Sequence, residues 1–395
     1  MLARKRVAFL FNHEELHQVA HVAPVANAMS MMGGNIDIHI VTSTPEQEAE
    51  VRKHIRADQC ANIRFHRISA SAIAGFAGQC LGHAIPTKRI SALKKNRDLF
   101  SGFDALVVPE TTSFLLKSHF GLDHLKIIYL PHGAGDRAVG FRKVTAKADF
   151  VLLSGKKVRD RMVRANLVSK QGHAIIGYPK FDQFANRKPR RLFDNDRPTL
   201  LYNPHFDPLL SSWYQEGHKI LEYFADQDQF NLIFTPHVML FRRKLHASVE
   251  HRLLRWRKAF PRDFRNIPHM HIDLGSTASI DMTYTNMADI YLGDASSQVY
   301  EFIRKPRPCL FMNCHAAQWR DDPNYLHWNL GDVIESAEAL PDALAISSLR
   351  HGFYRPAQER LLHATFDIQT TPSAERAALA IMKFLGIGEQ QRAAA

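Results

Sequence analysis

The sequence predicts an α/β protein of two open domains, each built on a parallel sheet with helices on both faces. Three observations carry this. Short apolar runs recur along the chain, each bounded by turn residues. Helix-length segments separate most of them, which is the pattern of parallel strands joined by crossovers. A polar, proline-bounded stretch, Asn186 to Pro198, interrupts the series, and the pattern then restarts. At 395 residues the chain exceeds one typical domain. The expected division is residues 1–185, a linker 186–198, residues 199–372, and a C-terminal helix and tail 373–395.

Arg6 to Phe11 is apolar enough for a buried first strand. Gln18 to Met32 reads as a helix, ended by Gly33 and Gly34. Ile36 to Val41 alternates as a strand, Pro45 to Ile55 reads as a helix, and Ile63 to Ile68 as a third strand. Ala70 to Pro86 is rich in small residues and is expected as loop and helix. Strands follow at Ala105–Val108, Lys126–Leu130, Phe150–Leu153 and His173–Ile176. After the linker, strands are expected at Thr199–Tyr202, Asn231–Thr235, Met270–Asp273, Ile290–Leu292 and Cys309–Met312. Helices are expected at Trp213–Phe224 and Ser373–Leu385. Leu240 to Arg265 reads as helical and strongly basic, either a solvated face or a surface for anionic lipid or a polyanionic acceptor.

The formal net charge is +12, which suits a polyanionic or phosphate-bearing partner: nucleic acid, an anionic membrane surface or a nucleotide-linked substrate. No stretch reaches the ~20 apolar residues of a membrane span. The run Val7–Phe11 is too short for a secretory signal, so a cytoplasmic protein is expected, with peripheral contact on the inner membrane face as an option. Cys60, Cys80, Cys309 and Cys314 lack metal-type spacing and are expected as free thiols.

In open α/β domains ligands bind beyond the carboxyl ends of the strands, so the residues just after each strand are the candidates. After Leu130 come Pro131, His132, Gly133, Ala134, Gly135, Asp136 and Arg137. An imidazole there can take a proton from a hydroxyl near neutral pH, and the glycines let a ligand approach the backbone. After Phe234 comes Thr235-Pro236-His237, and after Tyr202 comes a turn containing His205 and Asp207. After Leu292 come Gly293, Asp294, Ala295, Ser296 and Ser297, then Glu301 on the following helix. Two hydroxyls beside the free N–H groups of a helix start suit a phosphate; an ordinary capped helix is the plain alternative. His13-Glu14-Glu15-Leu16-His17 matches H-E-x-x-H, the zinc-protease pattern. It begins one residue after the first strand and so straddles a loop and a helix start, whereas zinc chemistry needs both histidines inside one helix. A loop that contacts substrate through His13, Glu14 or His17 fits that position better.

In order along the chain, Pro131-His132-Gly133, Gly177-Tyr178-Pro179-Lys180-Phe181-Asp182, Leu201 to Asp207, Thr235-Pro236-His237, and Ala288 to Ser297 with Glu301 and Lys305-Pro306 resemble the CDP-glycerol glycerophosphotransferase family of teichoic-acid and capsule polymer synthesis. The resemblance runs from about Leu130 to Met312. It implies a GT-B architecture, two Rossmann-like domains with parallel sheets facing a central cleft. It implies His132 as base on the acceptor hydroxyl and His237 at the donor phosphate. Ser296 and Ser297 would hold the pyrophosphate, with Asp294 and Gly133 beside the bound donor, and Glu301 would bind a donor hydroxyl. Pro131 stands where the family has an aromatic residue, and Ala295 where it has a tyrosine.

The expected function is therefore transfer of a glycerol-phosphate or related polyol-phosphate unit from a CDP-linked donor to a polymer or lipid-linked acceptor, with no cofactor or metal required. A GT-B glycosyltransferase or epimerase acting on a nucleotide sugar is the near alternative, because fold does not fix chemistry. A nucleic-acid-binding protein is the alternative of another class. No recognition motif supports it, and no nucleic-acid partner is expected.

Overall fold

The computed structural model describes residues 4–13, 16–71, 86–137, 140–187, 191–248 and 253–387. The chain divides into two compact units, Met1–Asp182 with Ala364–Ala395, and Gln183–His363.

The first unit holds a seven-stranded sheet: β1 (Lys5–Phe11), β2 (Ile36–Thr42), β3 (Ile63–Arg67), β4 (Ala105–Val108), β5 (Lys126–Tyr129), β6 (Phe150–Leu153) and β7 (His173–Ile175). Their spatial order is β3-β2-β1-β4-β5-β6-β7, and every pairing is parallel. Successive side chains of a strand point to opposite faces. Val7, Phe9 and Phe11 therefore enter one core, and Ala8 and Leu10 the other. Both faces are buried, which is why these strands are continuously apolar rather than alternating. The helix Val19–Met32 covers the first face with ten buried residues.

The helix Ser373–Phe384 covers the same face, through Ala377, Ala378 and Ile381, although it lies at the far end of the sequence. Asp182 fixes its start. The Asp182 carboxylate accepts the backbone N–H groups of Ser373 (3.0 Å) and Ala374 (2.8 Å), two of the groups that a helix start leaves without an internal partner.

The second unit repeats the plan with β8 (Thr199–Asn203), β9 (Asn231–Phe234), β12 (Met270–Ile272), β13 (Ile290–Gly293), β14 (Cys309–Met312) and β15 (Asp332–Ile334), in the order β12-β9-β8-β13-β14-β15. The pairings are again all parallel. Both sheets thus have the Rossmann order, growing outward on one side of the first strand and then on the other.

Four segments differ from expectation. Leu240 to Arg265 is not a helix. It contains an antiparallel hairpin, β10 (Leu245–Ser248) and β11 (Leu253–Trp256), and a 3-10 turn, Arg262–Asn266. The edge strand β15 was not expected, nor was the helix Leu340–Thr365, whose sequence carries Gly352 and Pro356. Trp213 lies in a 3-10 turn, Ser212–Tyr214, and the helix begins only at Gly217. Most of the segment expected as loop and helix between Ala70 and Pro86, residues 72–85, lies outside the described residues. Among the described residues Cys60, Cys309 and Cys314 are free thiols, and no helix is long and apolar enough to cross a membrane.

Replacing Asp182 by Ala removes both acceptors from the start of the C-terminal helix. We expect a loss of about 1 kcal/mol, the usual worth of a capping side chain. Asp182→Asn keeps one acceptor oxygen and should retain part of it. Urea unfolding midpoints at constant m-value would measure both.

Candidate active-site residues at the strand ends

In the first unit the sheet order reverses between β1 and β4. His13 follows β1, Pro109 and Glu110 follow β4, and His132 follows β5 of the same strand row. Gly133 (φ 93°) and Gly135 (φ 68°) turn the chain directly after His132. Both angles lie in the left-handed region that favours glycine.

Solvent reaches the His132 ring, yet protein surrounds it densely. That desolvation lowers its pKa below the usual histidine value, outweighing a hydrogen bond to the Pro109 backbone and the charge of Glu110, which act upward. Gln18 Nε2 lies 3.4 Å from His132 Nε2. His17 and His21 face the same ring at centroid distances of 6.0 and 6.3 Å. His21 also packs edge-on against Tyr178 at 4.8 Å and is held neutral by burial, then by the nearby Lys180. His13 is buried, and neither ring nitrogen has a hydrogen-bond partner. Burial first, then the charge of Arg89, lowers its pKa to about 3. The result is two buried imidazoles, His13 and His21, kept neutral beside one accessible ring, an arrangement suited to accepting a proton.

Sequence reasoning missed Gln18 and Glu110. Glu110 accepts N–H bonds from Thr112 (2.6 Å) and Ser113 (3.2 Å), the Ser113 hydroxyl and an Arg89 guanidinium N–H. An acid two residues before a helix start, as in Glu110-Thr111-Thr112-Ser113, was the available signal. Asp136, expected in the cleft, is instead buried in an ion pair with Lys157 (2.5 Å), and its carbonyl accepts from Arg161. Arg137 is half-buried beside it. His17 lies in a 3-10 turn, Leu16–Gln18, ahead of the helix, while Glu14 lies outside the described residues. Among the described residues no group of three His, Cys, Asp or Glu side chains is placed to hold a metal ion.

In the second unit the order reverses between β8 and β13, and one carboxylate joins their ends. Asp294 Oδ2 accepts the backbone N–H of His205 (2.8 Å) and of Ser212 (2.9 Å). Asp294 is fully buried, which raises its pKa to about 7 despite those bonds. It was expected to bind the donor; it shapes the loop after β8 instead.

His205 and His237 stand 5.3 Å apart, centroid to centroid, with the Phe206 ring against both. The two rings are held by the same device. Asp207 N–H donates to His205 Nδ1 (3.0 Å), and Met239 N–H donates to His237 Nδ1 (3.3 Å). A ring nitrogen that accepts carries no proton, so the neutral ring presents its Nε2–H as a donor. With Nδ1 occupied in this way, Nε2 is the ring atom of His237 left to donate. Asp207 contributes mainly backbone: its carboxylate accepts the Leu209 N–H at 3.0 Å.

The turn after β13 also departs from expectation. Ser296 is buried, and its hydroxyl accepts the Gln298 N–H (3.3 Å), whereas Ser297 is exposed and caps nothing with its side chain. The helix is a single short turn, Gln298–Phe302, with little cumulative dipole. Glu301 is buried; the Tyr291 phenol is pushed up chiefly by burial, then by the charge of Asp294, with Glu301 a smaller contributor.

No family model matches this chain, and no curated protein matches it in sequence. Solved structures match it over nearly its whole length. One is MnaA of S. aureus with UDP, at 13% identity and a TM-score of 0.64, covering 97% of each chain. Another is the wall teichoic acid polymerase TagF soaked with CDPG, at 13% identity and 0.59, covering 97% of this chain and 89% of that one. A third is a UDP-GlcNAc 2-epimerase of Neisseria meningitidis bound to UDP-GlcNAc, at 12% identity and 0.53, covering 97% of this chain and 99% of that one. The shared feature is the fold: two Rossmann-like units of GT-B type.

Asp294 gives a signed pH prediction. Its folded pKa, about 7, lies above the ~3.9 of an unfolded aspartate. The native state therefore holds the extra proton, and the wild type loses stability as pH rises from ~4 to ~7. Asp294→Asn should remove that component, so that the variant gains on the wild type by on the order of 2–4 kcal/mol across the window. Paired urea titrations at the two ends of the window measure it; equal slopes would refute the assignment.

Proposed function

We propose that this protein is a transferase acting on a nucleotide-diphosphate donor, with the acceptor held by the first unit and the donor phosphates by the second. One observation carries the reading most directly. An accessible imidazole, His132, follows an interior strand and precedes two left-handed glycines, and the protein packed around it lowers its pKa by desolvation. The second unit supports it with two neutral imidazole donors, His205 and His237, at adjacent strand ends. N–H donors of this kind stabilise negative charge as it develops on a phosphate, without a fixed counter-charge.

The finer reading follows the motif order from Leu130 to Met312: a polyol-phosphate unit leaves a CDP-linked donor for an envelope or capsule polymer. His132 takes the proton of an acceptor hydroxyl, whose oxygen forms a bond to the distal phosphorus. The bridging P–O bond breaks, and its electron pair leaves with CMP. Ser296 and Ser297 remain candidates for the donor pyrophosphate and Glu301 for a donor hydroxyl. The fold shared with TagF and its CDPG supports this reading. The epimerase of the same fold bound to UDP-GlcNAc, and MnaA with its UDP, favour a second one, chemistry on a UDP-linked sugar. Product analysis separates them: CMP with a transferred phosphate unit supports the first, and free UDP or an epimerised sugar the second.

His132→Ala should lower kcat by about 10²–10⁴-fold, the usual contribution of a general base. Near wild-type turnover would remove the residue from the chemistry. The acidic limb of the wild-type kcat/KM profile should lie below the ~6.5 of an ordinary histidine, because activity needs the neutral ring and its pKa is depressed.

A further inference from the structure

The hairpin β10–β11 is inside out. Its register pairs Leu245 with Trp256, His246 with Arg255, Ala247 with Leu254, and Ser248 with Leu253. Side chains alternate along each strand, so Leu245, Ala247, Leu254 and Trp256 share one face. That face points to solvent. Leu245 is 40% exposed, Leu254 66% and Trp256 69%. The opposite face, turned to the protein, carries His246, Ser248 and Arg255 together with Leu253; His246 and Ser248 are buried. His246 Nε2 meets the carbonyls of Leu240 (3.0 Å) and Arg243 (3.1 Å), and the Arg255 guanidinium lies over the Tyr214 ring at 5.4 Å. The Arg257 N–H donates to Lys244 O at 2.7 Å, and its Nε–H to Arg243 O at 3.1 Å. The polar face therefore anchors the hairpin, and the apolar face is presented outward on a fixed platform. A one-sided antiparallel sheet ordinarily does the reverse.

The rim is cationic. Arg242, Lys244, Lys258, Arg262 and Arg265, which flank the two strands in sequence, are all exposed, with Asp263 the one exposed acid in the described part of this segment. We propose that this hairpin face docks on the surface of an anionic lipid bilayer, with Leu254 and Trp256 entering the interface and the rim meeting the headgroups. The pattern of an aromatic and aliphatic face ringed by Lys and Arg is complementary to that surface. A second copy of the chain fits less well, because a two-fold contact would bring two identical cationic rims together. Single-stranded nucleic acid fits less well too. Three of the four face residues are aliphatic and offer no plane for a base to stack on.

The test uses the full chain and sedimentation with vesicles of phosphatidylcholine alone or mixed with phosphatidylglycerol. The wild type should pellet with the mixed vesicles and remain in solution with the neutral ones. Leu254→Ser with Trp256→Ser should weaken partition by about tenfold or more at an unchanged thermal midpoint. Lys244→Ala with Lys258→Ala should weaken it roughly fivefold for each charge removed. Three results overturn the proposal: no sedimentation of the wild type with anionic vesicles, equal sedimentation of the double serine variant, or a dimer or oligonucleotide complex abolished by that variant.

Discussion

A parallel sheet with Rossmann order must reverse direction once, and the candidate residues of this chain follow the strands at those two places or the strands next to them. On either side of the reversal the crossovers leave in opposite directions, so no connection covers the ends of the two central strands. In the first unit that position lies between β1 and β4, and in the second between β8 and β13. Polar residues follow directly on those strand ends, Asn12, Glu110, His205 and Asp294 among them, while the strands behind them are largely buried. The rigid part positions the reactive part.

The two units use histidine differently, and the difference lies in what holds each ring. In the second unit, backbone N–H groups two residues downstream occupy Nδ1 of His205 and of His237. Each ring is thereby fixed as a donor through Nε2. In the first unit, burial keeps His13 and His21 neutral, and the accessible ring among them is His132, in contact with Gln18 and under the field of Glu110. The buried carboxylate of Asp294 holds the backbone of His205 and Ser212, setting the loop on which the donor ring of His205 stands.

Much of the strand framework was legible because it needs only local information. A fully buried strand must be apolar at consecutive positions, and Val7–Phe11, Ala105–Val108, Phe150–Leu153 and Cys309–Met312 are. The basic segment Leu240–Arg265 misled for the opposite reason. Its arginines and apolar residues fit a helical face as well as they fit a strand, and the choice was made by partners distant in sequence, such as the Tyr214 ring under Arg255. Gly352 and Pro356 concealed the helix Leu340–Thr365, which is held instead by Gln358. That side chain reaches the carbonyls of Arg307 and Leu330, both at 2.8 Å.

By itself the sequence determined the α/β class, the order of the strands along the chain and the residues that stand just past their ends, His132, His205, His237 and Ser296 among them. Those follow from hydrophobic periodicity and turn chemistry, which act over a few residues. Only the tertiary structure decided what each residue does in its place. It put Asp136 and Asp294 to structural use, placed Gln18 beside His132, and kept His13 and His21 neutral by burial. Burial, hydrogen-bond partners and tautomer depend on groups brought together across more than a hundred residues, as Gln18 and His132 are, and no local pattern encodes that proximity.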